Sequence, residues 1–223
     1  MSDPIRVGVL VSGRGSNLDA LCAAAASAGF PAQVVLVISN RRDAGALEIA
    51  RRWGVPAEVM PVGDFAGDSL ARDRAMRERL RVAGVRLVVC AGYNRILSDD
   101  FLTAFPDAIL NVHPSLLPAF AGGMHAVEAA LDYGVKLTGC TVQLLEPGVP
   151  DGGPIMIQRA VPVRDDDDAA SLRERIHEQE WQAVPEAVRL WCEGRIRRAG
   201  RVIRVVSASP ATDPARIPAE SHP

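Results

Sequence analysis

The stretch IRVGVLVSGRGSNLDALCAAAASAG (residues 5–29) indicates the fold class of the chain. It begins with an apolar, β-branched run, passes through a turn with two glycines and continues with apolar residues at helical spacing. Such an apolar run is typical of a strand covered on both faces, as in a parallel sheet. The stretch therefore predicts a strand, a tight turn and a helix, which is the first part of a β-α-β unit.

The same order recurs along the first half of the chain. Predicted strands cover residues 5–12, 32–39, 57–62, 85–92 and 107–114. Predicted helices cover residues 16–29, 43–54 and 69–84, and each has a glycine at its end. Strands that alternate with helices in this way favour a parallel, doubly wound sheet.

The second half has a different pattern. Two strand-like runs, 137–146 and 153–163, are joined by the turn-rich segment PGVPDG, and a long helix follows over 169–193, opened by Ser171. A short hairpin is expected over 194–205. The sequence thus predicts an α/β fold with a doubly wound, mostly parallel Rossmann-like sheet, an antiparallel C-terminal strand pair and a long C-terminal helix. We expect one domain over residues 1–206 and a flexible tail, rich in proline and alanine, over 207–223.

Composition excludes several classes of protein. The net charge of −2 and the isoelectric point near 6.1 give no basic surface for nucleic acid. The four cysteines are far apart without a C-x-x-C pair, which favours reduced thiols over disulfides or a zinc site. The N-terminal apolar run is too short for a signal peptide, and no run approaches the roughly 20 apolar residues of a membrane span. We expect a cytoplasmic protein without membrane contact.

The glycine-rich turn SGRGSN (residues 12–17) can hold an anion through amide groups at the start of the helix. It is not a dinucleotide fingerprint, because Leu18 stands where a third glycine is needed and no acidic residue ends the second strand. Arg41 or Arg42 could in principle meet a 2′-phosphate, and a plain turn without ligand is the simplest alternative. We favour a site for a single phosphate group, through Gly13, Ser16 and Asn17, over NAD.

Asn111 and His113 lie at the end of the fifth predicted strand, where open α/β sheets bind ligands. They are two residues apart, so both side chains point to one face, and Pro114 favours an extended backbone at His113. The alternative is that His113 makes only structural hydrogen bonds in the core and has no role in catalysis. A metal site is disfavoured, because His113 and His125 are twelve residues apart without a carboxylate at ligand spacing.

Asp151 lies in the predicted turn between two strands, and gains importance only if the fold brings it over His113. An asparagine amide and a histidine can donate hydrogen bonds to the oxygen of a tetrahedral intermediate. A carboxylate can orient the imidazole and help to move a proton. Because no G-x-S-x-G nucleophile is present, we expect direct acyl transfer between two bound substrates.

These residues also carry a family resemblance. The segments VSGRGSNL, ISNRRDAGALEIA, AGYNRILS, ILNVHPSLLP, GVKLTGCTVQLL, DGGPIMIQRAVPV and IHEQEWQAVPEAV occur in this order. Together they resemble the phosphoribosylglycinamide formyltransferases, folate-dependent enzymes of purine synthesis. The resemblance implies the formyltransferase fold and the transfer of a formyl group from 10-formyltetrahydrofolate, as co-substrate, to the amine of glycinamide ribonucleotide, with neither a metal nor NAD.

The resemblance also assigns residues. It implies that Asn111, His113 and Asp151 are catalytic. The implied ribonucleotide-binding residues are Gly13, Arg14, Gly15, Ser16, Asn17 and Glu180, of which Glu180 would hold the ribose hydroxyls. The implied folate-binding residues are Arg95, Ile96, Leu97 and Asn111.

The chain departs from the family pattern at four places. FAGGMH (residues 120–125) has an extra glycine and lacks a proline, although His125 matches. Gln143 stands where histidine is frequent and Asn94 where methionine is common. Arg72 is the nearest substitute for an arginine that the family places near the phosphate. None of these changes affects Asn111, His113 or Asp151.

Four rival functions make different predictions. A formyltetrahydrofolate hydrolase would carry an N-terminal regulatory domain, yet the first strand begins near Ile5. A methionyl-tRNA formyltransferase would need a further C-terminal domain and a basic surface. A noncatalytic nucleotide-binding module would bind phosphate ligands without turnover, and an NAD-dependent oxidoreductase lacks its fingerprint. We expect small-molecule substrates and no nucleic acid; the choice between a monomer and a homodimer stays open.

Overall fold

The computed structural model describes residues 3–207, and within them one nine-stranded sheet has the order β3-β2-β1-β4-β5-β6-β7-β9-β8. The strands are β1 (Ile5–Val11), β2 (Ala32–Ser39), β3 (Ala57–Val59), β4 (Leu87–Cys90), β5 (Ile109–His113), β6 (Leu137–Leu144), β7 (Ile155–Pro162), β8 (Ile196–Ala199) and β9 (Val202–Val205). The helices are α1 (Ser16–Ala25), α2 (Ala46–Arg52), α3 (Ser69–Val82), α4 (Asp99–Thr103), α5 (Ala126–Tyr133) and α6 (Ala169–Cys192).

Strand pairing confirms the predicted fold class. The strands from β3 to β5 pair in parallel, whereas β6 is antiparallel to both β5 and β7. The predicted C-terminal hairpin, β8 and β9, extends the same sheet through a pairing of β9 with β7. The predicted strand over 57–62 is shorter, because a 3₁₀ turn (Val62–Phe65) follows directly after Pro61, which has no amide hydrogen for a ladder.

The start of α6 corrects one expectation. Asp168, and not Ser171, is the residue before the helix, and its carboxylate accepts hydrogen bonds from the amides of Ala170 (2.9 Å) and Ser171 (2.8 Å). Ser171 completes a capping box, because its hydroxyl accepts from the Asp168 amide at 3.1 Å. The short helices α4 and α5 were not predicted, since five and eight residues carry too little periodicity.

The core lies on both faces of the sheet, as continuous apolar strands require. Along β1, Val9 and Val11 pack with α1 and α6, whereas Leu10 packs with α3 and α4 on the opposite face. The carboxyl ends of β1, β2, β4 and β5 therefore meet at one edge between two helical layers. That edge is where ligands bind in sheets of this kind.

Two expectations concern the ends of the chain and the membrane. Residues 208–223, which make up nearly all of the predicted tail, lie outside the described residues, so the division into a domain and a tail stays a prediction. Among residues 3–207 there is no helix with the length and apolar character needed to cross a membrane.

Candidate active site

Asn111 and His113 lie at the carboxyl end of β5, as the sequence predicts. The pairing of β5 puts Asn111 between Cys90 of β4 and Gln143 of β6. His113 is 5% exposed, while the Asn111 side chain is half-buried and has no hydrogen-bond partner within residues 3–207. An amide in this position is available to donate to a ligand.

The imidazole of His113 lies between two acceptors. Its Nε2 is 3.0 Å from the carbonyl oxygen of Phe120, and its Nδ1 is 3.6 Å from Oδ2 of Asp151. A carbonyl oxygen can only accept, so Nε2 carries a hydrogen. The Asp151 carboxylate faces Nδ1 at a distance longer than a hydrogen bond, so it acts on the ring through its charge.

Asp151 is brought to His113 by the loop between β6 and β7. Its carboxylate also accepts hydrogen bonds from the amide of Gly122 (2.9 Å, to Oδ2) and from Nε2 of Gln143 (3.2 Å, to Oδ1). The backbone of Asp151 is left-handed, with φ of 49°, a conformation that aspartate tolerates better than most residues. Gln143 and the glycine insertion, both departures from the family pattern, thus contact the predicted catalytic carboxylate.

The glycine-rich turn leads from β1 into α1. Gly15 has a φ of 85°, and α1 begins directly after it at Ser16. The amide of Ala46 donates to the carbonyl of Gly13 at 3.1 Å, which holds the turn against α2. A side chain at Gly13 would contact nothing within 4 Å, so the turn is open on that side.

A cavity of about 350 Å³ opens at this turn. It is lined by Gly13, Arg14, Gly15, Ser16, Asn17, Ala91, Gly92, Val112, Pro114, Arg173, His177 and Glu180. Val112 and Pro114 alternate with Asn111 and His113 along β5, so the cavity lies on the other face of that strand from the His113–Asp151 pair. All five residues expected from the turn are thus together with Glu180. Of the three expected catalytic residues, His113 and Asp151 are in contact on the other face of the strand, and Asn111 shares that face.

Glu180 is the buried carboxylate of the cavity, with 4% exposure. Its Oε2 accepts a hydrogen bond from Nδ2 of Asn17 at 2.7 Å. Burial raises the pKa of Glu180 to about 7, and the hydrogen bond from Asn17 offsets only part of that effect. Oδ1 of Asn17 is buried without a hydrogen-bond partner, which leaves one acceptor free at the same place.

The expected folate segment lies in the loop after β4, next to the strand that carries Asn111. Arg95 and Ile96 are exposed, whereas the Leu97 side chain packs into the core, so any contact of Leu97 with a ligand falls to its backbone. Asn94 fixes the segment, because its amide donates to the Ser12 hydroxyl (2.9 Å) and its side chain accepts from Asn40 (2.9 Å).

Arg72 does not take part in the cavity. It is 2% exposed on α3, and its guanidinium donates to Oδ1 of Asp73 at 2.7 and 3.0 Å. The buried pair is completed by the Ser98 amide, which donates to Asp73 at 2.7 Å. Arg72 is therefore no substitute for a phosphate ligand at the glycine-rich turn.

The four cysteines are buried and unpaired. Burial raises the pKa of Cys22 to about 11 and that of Cys90 to about 12, so neither thiol is an activated nucleophile. Residues 3–207 contain no group of three or more His, Cys, Asp or Glu side chains arranged to hold a metal ion.

Comparison with known proteins agrees with this geometry. The sequence profile of the formyl transferase family matches residues 5–188. The chain belongs to the formyl transferase family. The match covers the glycine-rich turn, the whole of β5, Asp151 and Glu180, so both clusters lie inside the shared region.

Relatives within the family are similar over most of the chain. Phosphoribosylglycinamide formyltransferase of Mycobacterium tuberculosis is 44% identical over 187 residues, 84% of this chain and 85% of that protein. The crystal structure of glycinamide ribonucleotide transformylase 1 from Symbiobacterium toebii superposes with a TM-score of 0.89 at 46% identity, covering 93% of this chain and 96% of that one. The trifunctional purine biosynthetic protein adenosine-3 of Drosophila pseudoobscura is 41% identical, but the chain spans only 14% of its length.

Sequence reasoning missed two basic side chains of the cavity. Arg173 and His177 lie on α6 at positions i and i+4, and Glu180 follows at i+7. Residues with this spacing share one face of a helix. The pattern was visible in the sequence, but only the docking of α6 against α1 shows that this face lines the cavity.

Gly15→Ala tests the close approach of the turn to α2. A Cβ at Gly15 would lie 2.6 Å from Cα of Ala46, in addition to the strain of a left-handed φ. We expect the free energy of unfolding to fall by about 2 kcal/mol. Gly29→Ala is the matched control, because Gly29 has a φ of 78° with no atom within 4 Å of an added Cβ. In urea unfolding this variant should lose about 1 kcal/mol of the free energy of unfolding. Equal losses in the two variants would show that the contact with Ala46 does not matter.

Gln143→Met tests the amide that holds Asp151. Gln143 is fully buried, its Nε2 donates to Asp151, and its Oε1 has no partner. Methionine keeps the length and removes both polar atoms, so turnover should fall about tenfold while thermal stability stays equal or rises. Full turnover in a stably folded variant would show that Gln143 does not position the carboxylate.

Proposed function

We propose that the chain transfers the formyl group of 10-formyltetrahydrofolate to the amine of N1-(5-phosphoribosyl)glycinamide. The names of its relatives indicate, for those proteins, formyl transfer to this ribonucleotide. The products are the formylglycinamide ribonucleotide and tetrahydrofolate, a step of purine synthesis. The observation that carries the proposal is the placement of two sites at one strand end: a cavity at the glycine-rich turn and the His113–Asp151 pair across β5.

The cavity suits the ribonucleotide. Amides at the start of α1 favour the phosphate group, since a helix N-terminus attracts anions. Glu180, deeper in the cavity, accepts hydrogen bonds from the ribose hydroxyls in its ionised form. The glycinamide amine then extends past Val112 and Pro114 toward the end of β5.

The folate donor approaches from the other face of β5. Residues 94–97, which follow β4, lie beside the strand of Asn111 and provide the wall for the pterin, with Asn111 at its end. The formyl carbon then lies between the folate nitrogen and the incoming amine.

We assign the transfer step to three residues: His113, Asn111 and Asp151. The amine attacks the formyl carbon, and the oxygen that becomes negatively charged accepts hydrogen bonds from the Asn111 amide and from Nε2 of His113. For this, His113 must exchange its present partner, the carbonyl of Phe120, for the substrate oxygen. Asp151 stabilises the imidazolium and helps to move the amine proton to the departing folate nitrogen, through the imidazole or a water.

A simple assay tests the proposal. Purified protein is mixed with 10-formyltetrahydrofolate, with and without glycinamide ribonucleotide, and the deformylated folate is followed by absorbance. We expect folate release only when the ribonucleotide is present. Release at the same rate without it would identify a hydrolase, and no release in either mixture would leave a binding module.

We also place the reaction in the cytoplasm. All four cysteines are free, which fits a reducing compartment. The substrates are small molecules.

A further inference from the structure

The mouth of the cavity carries two basic side chains whose partner is not an acid. Nη2 of Arg14, in the glycine-rich turn, is 2.9 Å from Nδ1 of His177 on α6. Arg14 has no carboxylate within 4 Å in the described part of the chain. Arg173, the third basic residue of the cavity, is paired with Glu128. Arg14, in contact with His177, is therefore the place on the rim where positive charge is not neutralised by a carboxylate of the described residues.

The contact fixes the protonation state of the free protein. A guanidinium has only donors, so Nδ1 of His177 must be the acceptor and carries no hydrogen. The imidazole is therefore neutral, with its hydrogen on Nε2. Burial and the charge of Arg14 lower the pKa of His177, while Glu174 raises it and Arg173 lowers it again. On the α6 side the ring stacks on Trp181, with centroids 6.5 Å apart, and Trp181 adds no charge.

An anion at the glycine-rich turn would change this balance. A phosphate dianion supplies strong acceptors for both side chains, so the Arg14 guanidinium can leave His177 and donate to a phosphate oxygen instead. The freed Nδ1 then faces negative rather than positive charge. That environment favours the imidazolium, which donates to the phosphate in turn.

We propose that Arg14 and His177 form a phosphate clamp at the mouth of the cavity, and that binding the phosphate dianion adds one proton to His177. The proton comes from solvent and goes to Nδ1, and no covalent bond to the ligand forms or breaks. This inference rests on the proposed function, because it takes the ribonucleotide phosphate as the ligand. It makes ribonucleotide affinity dependent on pH through a residue outside the catalytic cluster.

Ribose 5-phosphate is the probe, because it lacks the glycinamide amine, whose own titration would interfere. At pH 7.5 its phosphate is almost fully dianionic, since the second pKa of a phosphate ester is about 6. Calorimetry in buffers with different heats of ionisation gives the number of protons taken up on binding. We expect the unmodified protein to take up more protons than a variant whose residue 177 cannot titrate, by a difference that approaches one as the pH is lowered toward 7.

Two variants isolate His177. His177→Arg keeps a positive charge that does not titrate, so it should bind ribose 5-phosphate while taking up fewer protons than the unmodified protein. His177→Gln can still accept from Arg14 but supplies no charge, so its dissociation constant should rise about tenfold. Glu180, with a pKa of about 7, is present in all three proteins, so its contribution cancels in the comparison.

The outcomes distinguish a failure of the clamp from a failure of the proposed function. Equal proton uptake by the unmodified protein and His177→Arg overturns the clamp, even if formyl transfer is observed. Failure of the unmodified protein to bind ribose 5-phosphate overturns it as well. Proton-coupled binding that depends on His177, in a protein that transfers no formyl group, supports the clamp and refutes the proposed function instead.

Discussion

The Asp151→Asn variant should lose turnover on the order of a thousandfold while its affinity for the ribonucleotide stays within a factor of about two. Asparagine keeps the size of the side chain and tolerates the left-handed backbone at this position, where φ is 49°. It removes the negative charge that lies 3.6 Å from Nδ1 of His113. The loss should therefore fall on the step in which the imidazolium and the amine proton matter, and not on substrate binding.

Single-turnover and steady-state kinetics check this result, with calorimetry for the ribonucleotide. Asp165→Asn is the matched control, because Asp165 is an exposed carboxylate that pairs with Lys136; its turnover should be unchanged. Turnover of Asp151→Asn within tenfold of the unmodified protein would contradict the role of Asp151. A large rise in the dissociation constant would show a binding role instead.

The Glu180→Gln variant should be more stable than the unmodified protein at pH 8, by about 3 kcal/mol, although it binds the ribonucleotide about tenfold more weakly. Glu180 has a pKa of about 7 in the folded protein against 4.5 in the unfolded chain, because burial disfavours its charge. Well below pH 4.5 the carboxyl is neutral in the folded and the unfolded state, so no charge is buried on folding. As the pH rises from 4.5 to 7 the unfolded chain ionises first, so the unmodified protein loses stability over this window.

Urea unfolding between pH 4.5 and 8 measures the effect. The difference in the free energy of unfolding between Glu180→Gln and the unmodified protein should grow from pH 4.5 to about 7 and stay constant from there to pH 8. Glu178→Gln, an exposed change on the same helix, is the control and should show no such pH dependence. A constant difference across the range would mean that Glu180 does not change its charge there.

Much of the fold follows from the sequence, because the parallel strands are buried on both faces and appear as continuous apolar runs. The end of β5 could be located in the same way, and with it the positions of Asn111 and His113. The turn between β1 and α1 could be located because Gly13 and Gly15 separate an apolar run from a helical pattern; its role as an anion site stays a prediction. Each of these inferences depends on residues close together in the chain.

The rest of the site depends on contacts between distant segments. The amide of Gly122 and the carboxylate of Asp151 are in contact although they are 29 positions apart, and no local pattern predicts that pairing. The same holds for Arg14 and His177, which are 163 positions apart. Gln143 stands where the family often has a histidine, and the sequence does not reveal that its amide donates to Asp151.

The most direct test follows the formyl group itself. The protein is incubated with glycinamide ribonucleotide and 10-formyltetrahydrofolate whose formyl carbon is ¹³C, and the label is located by NMR. We expect the label in the formamide of the ribonucleotide, in an amount equal to the tetrahydrofolate produced. Label found in free formate, with the ribonucleotide unchanged, would contradict it.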